Sequence, residues 1–99
     1  MGDVICHVIV GGKVQGVGYR AWIEREAVAR HLGGWVRNRK DGTVEAVLSG
    51  PEDVVAALIE KCRRGPAMAR VTAIDRVQAD ADVLNLRMRG ERFSILESL

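Results

Sequence analysis

The chain has 99 residues, of which 47% are hydrophobic and 28% are charged, and its net charge at pH 7 is +2. This length and apolar content suit one domain with a single core, which we place over residues 1–99. The small net charge gives no sign of nucleic-acid binding. No apolar run approaches the roughly 18–20 residues that cross a membrane, which excludes a membrane-spanning helix.

The first predicted element is a strand over residues 4–10. It is apolar on both faces except at His7, as expected of a central strand. We interpret His7 as a core or sheet-face histidine, and we expect Gly11 and Gly12 to end the strand.

A glycine turn follows. Gly16 and Gly18 flank a single valine, and Arg20 stands where the next helix is predicted to begin. Glycine allows a turn whose backbone N–H groups converge, with no side chain blocking the space between them. Converging amides beside a helix N-terminus bind anions, above all phosphate, and a guanidinium group adds a bidentate contact. The residues therefore predict a phosphate or oxyanion site.

The first helix is predicted over residues 21–32, and Gly33-Gly34 is expected to end it. Its apolar side is predicted to contain Ala21, Trp22, Val28, Ala29 and Leu32. His31 is interpreted as a solvated helix residue.

A hairpin and a second helix come next. Residues 35–39 and 43–49 are predicted strands, joined by the tight turn Asp41-Gly42. Ser49 is predicted to cap a helix in which Pro51 lies near the first turn and two acids follow. Its predicted apolar stripe consists of Val55, Leu58, Ile59 and Cys62. Residues 63–66, Arg-Arg-Gly-Pro, are predicted to end it.

The remaining residues complete the fold prediction. Residues 70–78 and 93–96 are predicted strands, whereas residues 80–90 fit either a strand or an irregular loop. This order is typical of a ferredoxin-like βαββαβ sandwich of the α+β class. We expect a mostly antiparallel sheet with two helices on one face and a short C-terminal strand.

Other chemistries fit the chain poorly. The spacing Gly16-x-Gly18-x-x-Ala21 matches a dinucleotide-binding fingerprint, but the next strand turns back through a hairpin, and 99 residues are too few for a doubly wound sheet. The two histidines lack metal-ligand spacing, and no triad-like order suggests a covalent nucleophile. We therefore expect neither a cofactor nor a metal.

Two motifs carry a family resemblance. Residues 14–20, Val-Gln-Gly-Val-Gly-Tyr-Arg, resemble the first signature of the acylphosphatases, and residues 34–45 resemble the second at the expected distance. Gly50, residues 65–67 and residues 93–95 also match the family pattern. The resemblance spans nearly the whole chain and is weaker over residues 78–91. Tyr19 departs slightly, since the family more often has phenylalanine there.

The resemblance implies hydrolysis of acyl phosphates to a carboxylate and inorganic phosphate. It implies that Arg20 and the backbone amides of the loop bind the phosphoryl group, and that Asn38 orients the attacking water. The implied phosphate-binding residues are Gln15, Gly16, Val17, Gly18, Tyr19 and Arg20. An oxygen of the substrate's own phosphate would take the water's proton. Asn38 has an alternative role, a cross-strand or turn hydrogen bond near the hairpin.

Partners and location follow from these expectations. We expect an acyl phosphate substrate, with inorganic phosphate as product and competitive inhibitor, and no nucleic-acid or membrane partner. Cys6 and Cys62 lie in apolar patterns without close spacing and are predicted reduced core thiols. Met1-Gly2-Asp3 lacks the basic charge of a signal peptide. We expect a cytoplasmic monomer.

Three questions stay open at this point. Lys13, Arg37, Arg39 and Lys40 are either a positive mouth that attracts anions or ordinary solvated charges. A non-catalytic module that binds RNA or a small anion is an alternative on the same fold, although only four residues are aromatic. Carbamoyl phosphate is an alternative substrate, because similar domains hydrolyse it within larger proteins.

Overall fold

The computed structural model describes residues 2–99. Met1, part of the segment predicted not to be a signal peptide, lies outside the described residues. The elements are β1 (Asp3–Lys13), α1 (Tyr19–Ala29), β2 (Gly33–Asn38), β3 (Val44–Pro51), α2 (Glu52–Cys62), β4 (Arg70–Gln78), α3 (Ala81–Leu84) and β5 (Phe93–Ile95). They confirm the predicted α+β, ferredoxin-like fold.

The five strands form one sheet in the order β4-β1-β3-β2-β5. β1 pairs antiparallel with both β3 and β4, and β2 pairs antiparallel with β3 but parallel with β5. β1 is therefore a central strand, as its two apolar faces predict. The prediction that Gly11 and Gly12 end it was wrong, because the strand continues to Lys13 with a register shift between the two glycines. A Cβ on Gly12 would lie 2.1 Å from the carbonyl oxygen of Arg70, so this close strand approach requires glycine.

α1 is shorter at its C-terminus than predicted. The helix ends at Ala29, and His31, predicted to be helical, has a left-handed φ of 59°. Gly33 and Gly34 do not stop the helix but begin β2. The predicted apolar side was also partly wrong, since Val28 is 56% exposed. The buried residues of α1 are Tyr19, Trp22, Ile23 and Ala27.

α2 begins later than predicted. Ser49 lies within β3 and does not cap the helix, and Pro51 occupies the N-cap position without a side-chain hydrogen bond. Glu52 and Asp53 stand in the first turn, where carboxylates interact favourably with the positive end of the helix. The predicted stripe of Val55, Leu58, Ile59 and Cys62 is buried.

Both long helices cover the same face of the sheet. α1 packs on β2 and β5, and α2 packs on β1 and β3. The core between these layers includes Cys6 and Cys62, which are buried free thiols as predicted. Burial raises the pKa of Cys62 to about 12, so its thiol is protonated near neutral pH.

The opposite face of the sheet is covered by part of the segment left open by the sequence. Residues 81–84 form α3, whose first turn is capped by Asp80 accepting from the Val83 amide at 3.2 Å. The Trp35 side chain lies on this face, is only 1% exposed, and donates its indole N–H to the Val83 carbonyl at 2.8 Å. None of the helices within residues 2–99 has the length and apolar character needed to span a membrane.

Candidate active site

The loop between β1 and α1 turns at two glycines. Gly16 and Gly18 have φ angles of 74° and 80°, in the left-handed region that side-chain-bearing residues rarely adopt. A Cβ at either position would meet no atom within 4 Å. Glycine is therefore favoured at these positions by the backbone conformation, since a side chain would not clash with neighbouring atoms.

The loop leaves its amides free. Among residues 2–99, no backbone hydrogen bond of the turns and caps uses an N–H of residues 15–18 as donor. Gly18 is the N-cap of α1 and supplies no capping side chain, and the first helical turn contains no acidic residue. The unpaired N–H groups and the positive end of the helix dipole are thus uncompensated, which is the arrangement that binds an anion.

The loop, the start of α1 and the end of β2 enclose one small cavity of about 240 Å³. Arg20 lines it and forms no salt bridge with any residue of the described chain. The full lining is Val14, Gly16, Gly18, Tyr19, Arg20, Ala21, Asn38 and Ile95. The structure thereby brings five of the seven sequence-predicted site residues, including Arg20 and Asn38, around a common space. We call this space the cradle.

Asn38 reaches the cradle from the last position of β2. Its side-chain Oδ1 is buried and accepts no hydrogen bond from any residue of the range 2–99. Buried acceptors are normally paired, so this oxygen is suited to a group from outside the chain, such as water. The alternative role predicted for Asn38 was a hydrogen bond near the hairpin turn. There the side-chain hydrogen bonds are made by Asp41, which accepts from the amide and hydroxyl of Thr43 at 2.9 and 2.6 Å.

Gln15 and Val17 are the two predicted site residues that do not line the cradle. The Gln15 side-chain amide donates to the carbonyl oxygens of Arg39 and Thr43, at 2.8 and 2.9 Å, and so ties the loop to the β2–β3 hairpin. Val17 packs against the core. Their backbone N–H groups still belong to the loop, but their side chains anchor it.

Tyr19 fixes the other end of the loop. It is 1% exposed, and its hydroxyl donates to the Cys62 carbonyl at the end of α2, at 2.6 Å. Burial, with a smaller contribution from Cys62, raises the pKa of this phenol far above its usual value. The tyrosine thus adds a link between α1 and α2 that phenylalanine lacks.

Two further contributors to the site come from the C-terminal segment. Ile95 of β5 lines the cradle, and the Leu99 amide donates to the Asn38 backbone carbonyl at 2.9 Å. The resemblance at residues 93–95 marked this segment, but only the parallel pairing of β5 with β2 brings it to Asn38.

The four basic residues considered for the mouth do not line the cradle. Arg37 lies on the opposite face of the sheet, where its Nε donates to Glu45 Oε1 at 2.7 Å. The suggestion that Arg37 contributes to a positive mouth, or is simply solvated, was therefore wrong. Alternation along β2 explains this, because Arg37 and Asn38 are neighbours and so point to opposite faces.

The part of the chain that the structure describes has no group of three or more His, Cys, Asp or Glu residues that could hold a metal ion. The polar groups that line the cradle are backbone amides, one guanidinium and one carboxamide. Such groups bind and orient an oxyanion and a water molecule.

Comparison with known proteins identifies the family of this chain. The acylphosphatase family model matches residues 6–95. An acylphosphatase of Rhodopseudomonas palustris is 57% identical over 99 residues, which is all of both chains. The crystal structure of acylphosphatase from Bacillus subtilis has a TM-score of 0.81 at 37% identity, covering 94% of this chain and 98% of that one. An acylphosphatase from Coxiella burnetii has a TM-score of 0.83 at 30% identity, covering 96% and 94%. With a family match over most of its length and a full-length relative at this identity, the chain belongs to the acylphosphatase family.

Proposed function

We propose that the cradle is where this chain hydrolyses the carboxyl-phosphate bond of acyl phosphates. The amides of residues 15–20 and the Arg20 guanidinium bind the phosphoryl oxygens, and Asn38 orients the attacking water. The observation that supports this is the meeting of the unpaired loop amides, Arg20 without a salt bridge, and the unpartnered Oδ1 of Asn38 at one 240 Å³ cavity.

The reaction needs no nucleophile from the protein. Asn38 Oδ1 accepts a hydrogen bond from the water, whose oxygen attacks phosphorus in line with the bond to the acyl oxygen. The P–O bond breaks and its electron pair leaves with the carboxylate, while a phosphate oxygen takes the water's proton. Since the carboxylate is already a good leaving group, positioning and charge stabilisation are sufficient. The Arg20 guanidinium and the loop amides stabilise the negative charge on the phosphoryl oxygens in the transition state.

Several finer properties belong to this proposal. The reaction is metal-independent and uses no cofactor, and inorganic phosphate is a competitive inhibitor because it occupies the same amides. The protein acts as a single domain over residues 1–99, as a cytoplasmic monomer without nucleic-acid or membrane partners. Sedimentation tests the oligomeric state, and turnover with and without EDTA tests metal independence.

The experiment is hydrolysis of benzoyl phosphate in EDTA by wild type, Arg20→Ala and Asn38→Ala, with Arg25→Ala as control. Arg25 is an exposed arginine of the same helix. Arg20→Ala should lose turnover and phosphate inhibition together, because one group binds substrate and product. Asn38→Ala should lose turnover by about 10²-fold or more but keep phosphate inhibition. Arg25→Ala should resemble wild type.

Two results would overturn the proposal. Wild-type turnover and phosphate inhibition in Arg20→Ala would remove the assignment of Arg20. A folded wild type without turnover would mean that the cradle binds anions without catalysis, and binding of phosphate and RNA would then be measured. Carbamoyl phosphate, assayed beside benzoyl phosphate, tests the alternative substrate.

A further inference from the structure

The sheet face opposite the long helices contains a charged group of three residues, His7, Arg37 and Glu45. Glu45 is only 8% exposed; its Oε1 accepts from Arg37 Nε at 2.7 Å, and its Oε2 lies 2.6 Å from His7 Nε2. His7 lies on β1, Arg37 on β2 and Glu45 on β3, so the Glu45 carboxylate connects three adjacent strands. We call this group the back-face network.

The network lies directly behind the proposed water-orienting residue. In the β2–β3 ladder Arg37 is opposite Glu45, and the next pair is Asn38 opposite Val44. Because side chains alternate between the two faces, the ion pair and the Asn38 carboxamide lie on opposite faces at consecutive positions. The Arg37–Glu45 ion pair therefore lies one ladder position from Asn38.

Arg37 is held on more than one side. Its guanidinium carbon lies 4.8 Å from the centre of the Trp35 ring, a cation–π distance, and the Trp35 indole is in turn bonded to α3. Burial disfavours the charged form of Glu45, but the hydrogen bonds from His7 and Arg37 outweigh it and lower the pKa of this carboxyl. The carboxylate is thus ionised at neutral pH, and the pair is intact under ordinary conditions.

The network acts on register. A shift of one residue between β2 and β3 would move Asn38 to the other face, away from the cradle. Buried ion pairs often contribute little net stability. They can still favour one strand register over a shifted one, because the shift would leave a buried charge unpaired. On the face covered by the long helices, the Asn38 Oδ1 has no partner among residues 2–99 that would hold the carboxamide.

We infer that Glu45 and Arg37 are positioning residues, which fix the end of β2 and thereby the orientation of the Asn38 carboxamide in the cradle. This inference rests on the role of Asn38 in the proposed function. It concerns residues that touch neither substrate nor water. Their effect on the reaction passes through the strand that carries Asn38.

The test compares Glu45→Gln with Glu26→Gln. Glu26 is a matched control, since its Oε1 also accepts from two cations, Arg30 at 2.7 Å and Lys61 at 2.9 Å, but it lies on α1 and faces α2. In Glu45→Gln we expect kcat for benzoyl phosphate to fall about tenfold, the effect of a small misplacement of a reacting group. The inhibition constant of phosphate should stay within about twofold, because the loop amides and Arg20 do not contact Glu45. Glu26→Gln should keep both constants.

A second readout does not depend on activity. The chain has two asparagines, Asn38 and Asn85, whose side-chain NH₂ groups give separate NMR signals. The Asn38 signal is identified by its loss in Asn38→Ala. It should shift in Glu45→Gln, whereas the Asn85 signal should not, and neither should move in Glu26→Gln. If wild type shows no turnover, the proposed function fails while this readout still tests the positioning.

Arg37→Lys is the second variant, in case Glu45→Gln folds poorly. It keeps the charge but cannot place an Nε donor in the same position, and it should lower kcat with phosphate inhibition retained. An unchanged kcat and an unmoved Asn38 signal in folded Glu45→Gln or Arg37→Lys would overturn the inference. An equal loss of kcat in Glu26→Gln would overturn it too, because the effect would then come from general destabilisation.

Discussion

The hydroxyl of Tyr19 donates to the backbone carbonyl of Cys62 over 2.6 Å, joining the residue that starts α1 to the residue that ends α2. Tyr19→Phe should lower the free energy of unfolding by about 1–2 kcal/mol, because a buried carbonyl loses its donor. Catalysis should change little, since the ring stays in place. Urea denaturation and benzoyl phosphate hydrolysis measure the two effects. An unchanged urea midpoint would show that the bond contributes nothing to stability.

Alkaline pH should destabilise the protein through Tyr19 and Cys62. Burial raises the pKa of the Tyr19 phenol above its usual range and that of the Cys62 thiol to about 12. The folded state therefore retains protons that the unfolded state releases, so stability should fall as the pH rises above roughly 9. Urea titrations between about pH 8 and about pH 11 measure this slope.

The same pH series has an internal check, because Tyr19 is the only tyrosine in the chain. Its ultraviolet phenolate absorbance should appear together with unfolding. Phenolate absorbance in a protein that is still folded would contradict the burial of this hydroxyl.

Arg20→Lys should separate charge from geometry. Lysine keeps the positive charge but lacks the planar fork that contacts two phosphoryl oxygens at once. We expect kcat/KM for benzoyl phosphate to fall by about 10²-fold or more, and phosphate inhibition to weaken. Arg25→Lys on the same helix is the control. If Arg20→Lys retains wild-type kcat/KM, a point charge is enough and the bidentate contact is not required.

The fold was largely predictable where the evidence is local. β1, the Asp41-Gly42 hairpin and the stripe of α2 follow from patterns within a few residues. The end of α1 did not, because Gly33 and Gly34 resemble a helix stop but begin β2, and Gly34 is required there by the close approach of β3, a strand more distant along the chain. Residues 80–90 could not be assigned for a related reason, since α3 is placed by a hydrogen bond to Trp35.

The candidate site divides in the same way. The sequence alone predicts an anion-binding turn at Gly16, Gly18 and Arg20. The predicted role of Asn38 came from the family resemblance. The pairing of Arg37 with Glu45 was missed, although alternation along β2 already separates Arg37 from Asn38. The side-chain role of Gln15 depends on carbonyl groups of the hairpin that only the folded structure brings near.

Gln15→Leu should loosen the link between the cradle loop and the hairpin. The variant removes two donated hydrogen bonds at a partly buried position, which should cost about 1–2 kcal/mol in unfolding free energy. Because Asn38 lies next to the Arg39 carbonyl that Gln15 binds, kcat/KM should also fall about tenfold. Gln78→Leu, at an exposed position of β4, is the control. Equal kcat/KM in the two variants would argue against this link.

Two glycines should respond differently to alanine. A Cβ on Gly34 would lie 1.8 Å from the Val47 carbonyl oxygen, so Gly34→Ala must displace strand backbone and should cost at least about 3 kcal/mol. At Gly16 only the left-handed conformation is unfavourable, and Gly16→Ala should cost about 1–2 kcal/mol. Urea denaturation of both variants decides this, and a larger loss at Gly16 would reverse the assignment.

Ile95 lines the cradle from near the C-terminus, and this has a consequence for synthesis of the protein. Gly16, Gly18 and Arg20 emerge early from the ribosome, and Asn38 soon afterwards, but the cradle also needs a residue near the far end of the sequence. Contacts so distant along the chain form late, because a long loop must close before they do. A nascent chain therefore contains the residues of the cradle loop long before it has a finished reaction site. Hydrolysis of acyl phosphates should begin only after residue 95 has left the ribosomal tunnel.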